Sequence, residues 1–431
     1  MSARNSINVL ILGSGGREHA IAWKVQKSDL LKNLYVAPGN SGTSKIATNI
    51  AIDISNYNQI KHIIQKHGIN LLIIGPEDPL VNGLHDRLIS DKAISKLIVI
   101  GPKEKGAMLE GSKSFAKKFM LKNNIPTAHF KTFEARNFET AIEYIKTQTP
   151  PFVIKADGLA AGKGVFICNE LKEAVQVIKD ISINNKFGSA GNKIVIEEFL
   201  IGLELSVFII TDGNNYKILP VAKDYKRIGD GDIGLNTGGM GAVSPVPFAD
   251  LTFIQKVNKQ IIEPTLKGLK SEKIDYTGFI FFGLINVEGE PFVIEYNVRL
   301  GDPETQAIMP RIESDLLELF LSINNPDEFE KIALDINQLF ATTVVLTAGG
   351  YPEKYKKGEL INGLDEATES IVFHAGIKQE NDTLLTNGGR VLAVTSLAKT
   401  LDKAIEISYN SIKKIEFKDC YFRNDVGNDL I

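Results

Sequence analysis

Only two cysteines occur in the 431 residues, Cys168 and Cys420, and neither has a recognisable base nearby in the sequence. Two cysteines build no disulfide framework, and without a base they give no support to a thiol nucleophile, so both read as packing residues. Long apolar runs are also missing: the chain opens MSARNSINVLILG. The sequence therefore predicts no signal peptide and no membrane span, and the cytoplasm is the expected location. A strong charge of either sign is absent, because 49 Lys and Arg against 52 Asp and Glu leave a formal net charge of −3. Nucleic acid is then not an expected partner, and any phosphorylated ligand should be small. Nothing reads G-x-x-x-x-G-K-[ST], which excludes a P-loop enzyme. What remains is a chain of ordinary globular composition, 43% hydrophobic and 23% charged, long enough for about three domains of ~150 residues.

The chain is organised around PPFVIKADGLAAGKGVFI, from Pro150 to Ile167. Val153 and Ile154 set one strand and Val165 to Ile167 a second; between them lie Gly158, Gly162 and Gly164 with Ala160 and Ala161. So few side chains let backbone N–H groups approach phosphate oxygens. Lys155 at the strand end and Lys163 in the loop offer a fixed and a mobile cation for a polyphosphate. The glycines alone suit an ordinary hairpin equally well, and the segments that follow decide. IVIEEFL, Ile194 to Leu200, is an apolar strand ending in Glu197 and Glu198, whose end around Leu200 offers backbone groups for adenine, with Glu204 close by for a ribose. FVIEYNVR, Phe292 to Arg299, alternates Glu295 and Asn297 onto one face, two hard oxygen ligands of the kind Mg²⁺ takes, or else two polar residues on a solvated face.

In this order the parts resemble the ATP-grasp family over about Leu109 to Ile323. The resemblance implies ATP held between two α+β subdomains and a carboxylate activated as an acyl phosphate for attack by an amine.

Ahead of that region, strand Ile7–Leu12 runs into Gly13-Ser14-Gly15-Gly16-Arg17-Glu18-His19 and a helix through about Lys27. Such a turn at a helix start favours an anion. Glu18 stands where a dinucleotide fingerprint needs its third glycine, and Val36-Ala37-Pro38-Gly39-Asn40 supplies no acidic residue for a ribose, so NAD is disfavoured. A monophosphate with Arg17 as partner fits, as does a turn that only packs helix on strand. Helices Tyr57–His67 and Gly83–Asp91 alternate with strands Leu71–Ile74 and Leu97–Ile100, predicting a parallel doubly wound sheet. Its carboxyl ends carry Gly13-Ser14-Gly15-Gly16, Ala37-Pro38-Gly39-Asn40, Gly75-Pro76-Glu77 and Gly101-Pro102, which one pocket would collect. Ser112 is a plausible cap for a helix to about Asn123, and Lys113 in its first turn is unfavourable unless an anion binds there, ATP phosphate being a candidate. From Asp224, DYKRIGDGDIGLNTGGMGAVSPVP reads as a long loop without apolar period, functional or else disordered. Asp224, Lys226 and Arg227 suit a zwitterion or phosphate, with Asn236, Thr237, Gly238, Gly239 and Gly241 closing over it.

GSGGREHA, APGNSGT, GPEDPLV, LEGSKSFAK, KADGLAAGKGV, IEEFLIGLELS, KRIGDGD, NTGGMGA, RLGDPETQ, AGGYP and TNGGRVLAV follow one another over nearly the whole chain. In this they resemble the phosphoribosylamine–glycine ligase family. The resemblance implies a multi-domain α/β and α+β fold: an N-terminal doubly wound parallel α/β domain at 1–108 that binds substrate, an ATP-grasp domain at 109–126 and 192–324, a mobile lid at 127–191, and a small α+β C-terminal domain at 325–431. It implies ATP, glycine and 5-phosphoribosylamine as substrates, with glycinamide ribonucleotide, ADP and phosphate as products. Lys113, Lys155, Lys163, Glu197, Glu198 and Glu204 would hold ATP, with Gly158, Gly162, Gly164 and Leu200 around it. Glu295 and Asn297 would hold Mg²⁺ or Mn²⁺. Lys155, Lys163 and Arg299 would neutralise the transferred phosphoryl group, and Gly15, Gly16, Arg17, Glu18, Asn40, Asp224, Lys226, Asn236, Gly239, Arg299 and Asp302 would bind the other substrates. A monomer is the expectation, without the further purine-pathway domains fused to this one in animals. Tyr225 departs from the family's usual histidine and Leu235 from its proline, which puts the shape of the substrate loop in doubt. Thr277 to Ile285 holds no acidic residue, so a second Mg²⁺ would need Glu295 to bridge or water to substitute. The alternative is another ATP-grasp carboxylate–amine ligase or carboxylase; an oxidoreductase lacks its fingerprint, and a non-catalytic regulator would have little reason to keep both metal ligands and three lysines.

Overall fold

The computed structural model describes residues 6–160 and 162–431, so Ala161 of the glycine-rich loop lies outside the described residues. Strands Thr48–Asn49, Leu31–Pro38, Ile7–Gly13, Leu71–Ile74 and Ile98–Ile100 lie side by side in that order, all parallel. Ile7–Gly13 is apolar almost without a break because it is covered on both faces: Val9 and Ile11 pack into one core, Leu10 and Leu12 into another. Helix Tyr57–His67 begins where the Asn56 side chain accepts from the N–H groups of Asn58 and Gln59, and ends at Gly68 in the left-handed region. The neighbours of Ile7–Gly13 lead away in opposite directions, so the turns after it and after Leu71–Ile74 open a crevice at the switch point.

Helix Lys113–Lys122 leads to a second sheet, ordered Phe130–Glu134, Lys193–Glu198, Phe152–Ala156, Val165–Cys168 and wholly antiparallel. Helices Phe138–Ile145 and Leu171–Ser182 cover it through Ala141, Ile145, Ala174, Ile178 and Ile181. This sheet contains the stretch expected as a lid and extends past residue 191. Lys193–Glu198 pairs with strands on both sides and belongs to the lid sheet.

A third sheet orders Tyr216–Ile218, Leu203–Thr211, Gly278–Val287 and Glu290–Asn297, antiparallel throughout. A fourth orders Lys223–Asp224, Gly241–Ser244, Phe340–Thr347, Arg390–Ala398 and Ile371–His374. Its first two strands come from the stretch that the sequence reads as a loop. There Arg227–Gly229 also pairs with Ile233–Asn236 as a hairpin turned by Gly231, Asp232 and Gly234, all at positive φ. Strands of two to four residues, rich in glycine, are too short to show an apolar alternation, which is why the sequence hides them. Among the described residues no helix is long and apolar enough to cross a membrane.

Candidate functional site

Lys155 lies in strand Phe152–Ala156 of the lid, and its ammonium donates to Glu197 at 3.0 Å and toward the Ile294 carbonyl at 3.4 Å. Glu197 is shared. Lys117, one turn along the helix from Lys113, reaches it at 2.9 Å and donates to Thr127 Oγ1 at 2.7 Å. Burial works to raise the Glu197 carboxyl, but the two ammonium charges outweigh it and hold it below the usual range. The same burial lowers Lys117 to about 8. Glu197, assigned to ATP from the sequence, is thus committed to two lysines. Lys117 was missed; the only signal is its place inside LEGSKSFAK.

Ser112 caps helix Lys113–Lys122, as the sequence suggests, by accepting from the Phe115 N–H. Asp157 supplies an anion of the chain itself at this helix start. Its carboxylate accepts from the Ser114 N–H at 2.6 Å and from Ser112 Oγ, and its carbonyl accepts from the Lys113 N–H. Lys113 itself reaches into the cleft and donates to the Gly158 carbonyl at 3.0 Å. Lys163 is exposed on the loop beside Gly162, whose φ of 74° suits glycine and whose Cα faces the Thr237 carbonyl of the substrate segment. The Ala156 N–H donates to the Gly164 carbonyl, closing the base of the loop. Glu198 accepts from the His129 N–H at 2.8 Å, whereas among the described residues no hydrogen bond engages Leu200.

Glu295 and Asn297 share one face of strand Glu290–Asn297. Burial pushes the Glu295 carboxyl up, and Lys226, Lys155, Lys113 and Arg299 together pull it below the usual range. Among the described residues no group of three or more His, Cys, Asp or Glu side chains forms a closed metal cage. One carboxylate beside one amide oxygen fits a hard divalent cation that fills its other positions with water and phosphate.

Arg299 is gripped from two sides, donating through Nη2 to Glu110 at 2.7 Å and through Nε to Glu77 at 3.1 Å. Glu110 also accepts from the Val298 N–H, and burial pushes its carboxyl up to about 7 against the pull of Arg299. Its Nη1 donates to the Leu300 carbonyl at 3.3 Å, so all three guanidinium nitrogens bond within the chain, and neither carboxylate is one that the sequence singles out as a partner.

The N-terminal turn differs from expectation. Glu18 folds back to accept from the Gly15 N–H at 2.7 Å, and Asp302 accepts from the Arg17 N–H at 3.2 Å. The guanidinium of Arg17 is buried against Glu18 at 2.6 Å and the Leu300 carbonyl. Two of the donors that would cradle a phosphate are therefore taken by carboxylates of the chain itself; Glu18, at the third helical position, reaches back to the N–H of the N-cap residue Gly15. Asn40 is likewise fully engaged: its Oδ1 accepts from the N–H groups of Gly42 and Thr43, and its amide donates to the carbonyls of Ser14 and His374. It ties the turn to the fourth sheet. Gly16 packs beneath Gln306, which donates to Asp302 at 2.8 Å.

In the substrate segment Lys226 donates to Glu204 at 2.9 Å and stands 3.8 Å from Asp224. Its charge is the leading cause of a lowered Glu204 carboxyl, while burial raises Asp224. Glu304, bonded by Ser206 Oγ at 3.1 Å, is raised to about 7 by burial and then by the charge of Asp224. Arg390, from the TNGGRVLAV run, clasps this region, donating to the carbonyls of Gly238 and Asp302 and pairing with the Asp302 carboxylate. Gly239 is held at φ 110° against Pro303, with no room for a Cβ. Asn236 closes the hairpin opposite Arg227. Tyr225 points the other way: its hydroxyl donates to Asp429 at 2.5 Å and accepts from the Gly427 N–H. Leu235 is half exposed near the hairpin turn. Neither departure points a new group at the cleft. The roles of Glu304, Arg390 and Glu110 are not visible in their motifs, since only the fold brings them to this cleft.

Known proteins share this arrangement. Residues 7–110, 111–305 and 341–429 match in turn the N domain, the ATP-grasp (A) domain and the C domain of phosphoribosylglycinamide synthetase. Phosphoribosylamine–glycine ligase from Fusobacterium nucleatum is 44% identical over 425 residues, covering 98% of both chains. The bifunctional purine biosynthetic protein PUR2,5 of Pichia angusta is 45% identical over 429 residues, and the chain spans 54% of its length. The crystal structure of phosphoribosylamine–glycine ligase from Thermotoga maritima superposes with a TM-score of 0.84 at 36% identity, covering 97% of this chain and 100% of that one. With the lid, the cation-ringed Glu295 and the matching domains all in the same order, the chain belongs to the phosphoribosylamine–glycine ligase family of ATP-grasp enzymes.

Proposed function

We propose that this chain joins glycine to 5-phosphoribosylamine with ATP, giving glycinamide ribonucleotide, ADP and phosphate in purine synthesis. The observation that carries the reading is the ring of Lys113, Lys155, Lys226 and Arg299 around Glu295, drawn from the helix after the first domain, the lid, the substrate segment and the end of a central strand. Arg299 and Lys226 already hold carboxylates of the chain, whereas Lys113 donates to the Gly158 carbonyl and Lys155 shares Glu197 with Lys117, so these two keep charge that suits a polyphosphate. Lys113, Lys155 and Lys163 would bear on the phosphates, with backbone of Gly158, Gly162 and Gly164 close to them. The unbonded backbone at Leu200 would meet adenine, and Glu198 and Glu204 stand near enough for the ribose. Glu295 and Asn297 would hold Mg²⁺ or Mn²⁺, which supplies neutralisation of charge on the phosphoryl group in transfer.

Glycine presents both charges, and Asp224 and Lys226 offer the complementary pair. A carboxylate oxygen of glycine bonds to the γ-phosphorus as the bond to the ADP oxygen breaks, giving glycyl phosphate. Lys155, Lys163 and Arg299 favour this step by balancing charge that moves from the phosphoryl group to ADP. The amine of phosphoribosylamine then attacks the carbonyl carbon, phosphate leaves with the former glycine oxygen, and the amine proton passes to solvent or phosphate. Gly15, Gly16, Asn236, Gly239 and Asp302 border the crevice proposed for that amine; Arg17, Glu18 and Asn40 shape it from behind. Acyl phosphates hydrolyse readily, so the lid would have to keep water out, and the nearness of Gly162 to the Thr237 carbonyl of the substrate segment supports such a closure. The enzyme is read as a cytoplasmic monomer. Glycine labelled with ¹⁸O in its carboxylate tests the reading: one label should appear in the released phosphate and one in the product amide. Phosphate without label would exclude glycyl phosphate.

A further inference from the structure

Lys117, Lys155 and Glu197 form a cluster whose side chains are only 2%, 5% and 4% exposed. Two ammonium groups share one carboxylate, and the remaining partners are neutral. Lys117 donates to Thr127 Oγ1 at 2.7 Å, Thr127 Oγ1 donates in turn to the Val293 carbonyl at 2.6 Å, and Lys155 has the Ile294 carbonyl at 3.4 Å. The nearest ring to Lys117 is Phe130, 5.8 Å from its ammonium. Within hydrogen-bonding reach the cluster therefore holds two positive charges against one negative; beyond that reach Glu198 acts on Lys117 and Glu295 faces the charge of Lys155. An anion arriving beside Lys155 would meet a charge that Glu197 only half balances. Lys155 stands among the charges that pull hardest on the Glu295 carboxylate, and Lys117 does not. The charge of the pair reaches Glu295 chiefly through Lys155.

Resting on the reading that this cleft binds ATP, we propose that Lys117 is a positioning residue for the nucleotide: it occupies half of Glu197, so that Lys155 keeps its charge for the phosphates. Without Lys117, Glu197 closes on Lys155 alone and the cluster becomes neutral. The lysine that faces the cleft is then still present but electrostatically cancelled. Lys117 needs no contact with ATP to have this effect.

Charge arithmetic makes the test specific. Lys117→Met should raise the ATP KM on the order of tenfold, the scale of one lost charged contact, while the KM values for glycine and phosphoribosylamine stay within about twofold. Lys117→Met combined with Glu197→Gln returns the cluster to +1 and should recover most of the ATP affinity; Lys117→Arg should remain close to the parent enzyme. ADP binding by calorimetry checks the same ordering without turnover, and circular dichroism checks the fold of each variant. Should Lys117→Met fail to fold, Lys117→Gln, which keeps a donor for Thr127, carries the same expectation. An unchanged ATP KM in a folded Lys117 variant, or a double variant as impaired as the single one, overturns the proposal. Failure of the parent enzyme to bind ATP or ADP at all would instead overturn the reading of the cleft.

Discussion

Asp157 joins the glycine-rich loop to the start of helix Lys113–Lys122, and its removal tests how the lid is fixed to the central domain. The carboxylate accepts from the Ser114 N–H at 2.6 Å and from Ser112 Oγ at 2.9 Å and 3.1 Å, so it satisfies an otherwise unpaired donor of the helix and adds a negative charge at the positive end of its dipole. Loss of such a cap costs about 0.5–2 kcal/mol, and loss of the charge about 0.3–1 kcal/mol. Asp157→Ala should therefore destabilise this junction by about 2 kcal/mol, and Asp157→Asn, which keeps an acceptor, by less than half of that. Hydrogen exchange at the amides of Ser114 and Phe115 reads the junction directly and should accelerate on the order of 30-fold, the factor that 2 kcal/mol sets where 1.36 kcal/mol is tenfold. Because Lys113 stands in the same turn, the ATP KM should rise in parallel. Unchanged exchange at these two amides in Asp157→Ala would refute the reasoning, since it would mean that Ser112 alone holds the helix start.

Glu295→Ala should abolish turnover while circular dichroism and the melting temperature stay close to those of the parent; activity recovered at saturating Mg²⁺ would contradict its placement at the metal. Tyr225→Phe keeps the buried ring but loses the bonds to Asp429 and Gly427, which should loosen the strand that aims Asp224 and Lys226. The KM for glycine should then rise several-fold with the ATP KM unaltered, and equal effects on both would argue against the anchor. His19 and His374 are buried together, their pKa values lowered from 6.5 to about 3 and about 4, chiefly by burial and, for His19, then by the charge of His374. A histidine whose folded pKa is depressed stabilises above its unfolded pKa and loses that contribution as pH falls, so each should cost about 2 kcal/mol between pH 6.5 and pH 5. Urea denaturation across that range should show a steep decline, and His374→Gln should remove roughly half of it; an equal slope in the variant would count against the assignment.

Much of the fold is legible in the sequence because local period and local caps decide it. Tyr57–His67 and Leu71–Ile74 stand where the apolar pattern puts them, and Ser112 caps its helix. The alternation that puts Glu295 and Asn297 on one face needs only strand geometry. What cannot be read is which charge meets which. The turn at Gly13–Glu18 has the composition of an anion site, yet Glu18 and Asp302 take donors that an anion would use, and the second of these comes from 285 residues away. Asn40 is consumed by a carbonyl 334 residues further on. Glu197 has the right neighbours for ATP along the chain, but its partners are Lys155 on the adjacent strand and Lys117 on helix Lys113–Lys122. Lys223–Asp224 and Gly241–Ser244 are invisible as strands because their partners lie in the C-terminal sheet, and a strand of two to four residues exists only through pairing.

The central claim is tested most directly by release of ADP from the purified chain with ATP and Mg²⁺, each of the twenty amino acids in turn, and phosphoribosylamine present or withheld. The account predicts sustained ADP release only with glycine and phosphoribosylamine together, with one glycinamide ribonucleotide formed per ADP. Sustained release with another amino acid, with bicarbonate, or with glycine in the absence of the amine would contradict it.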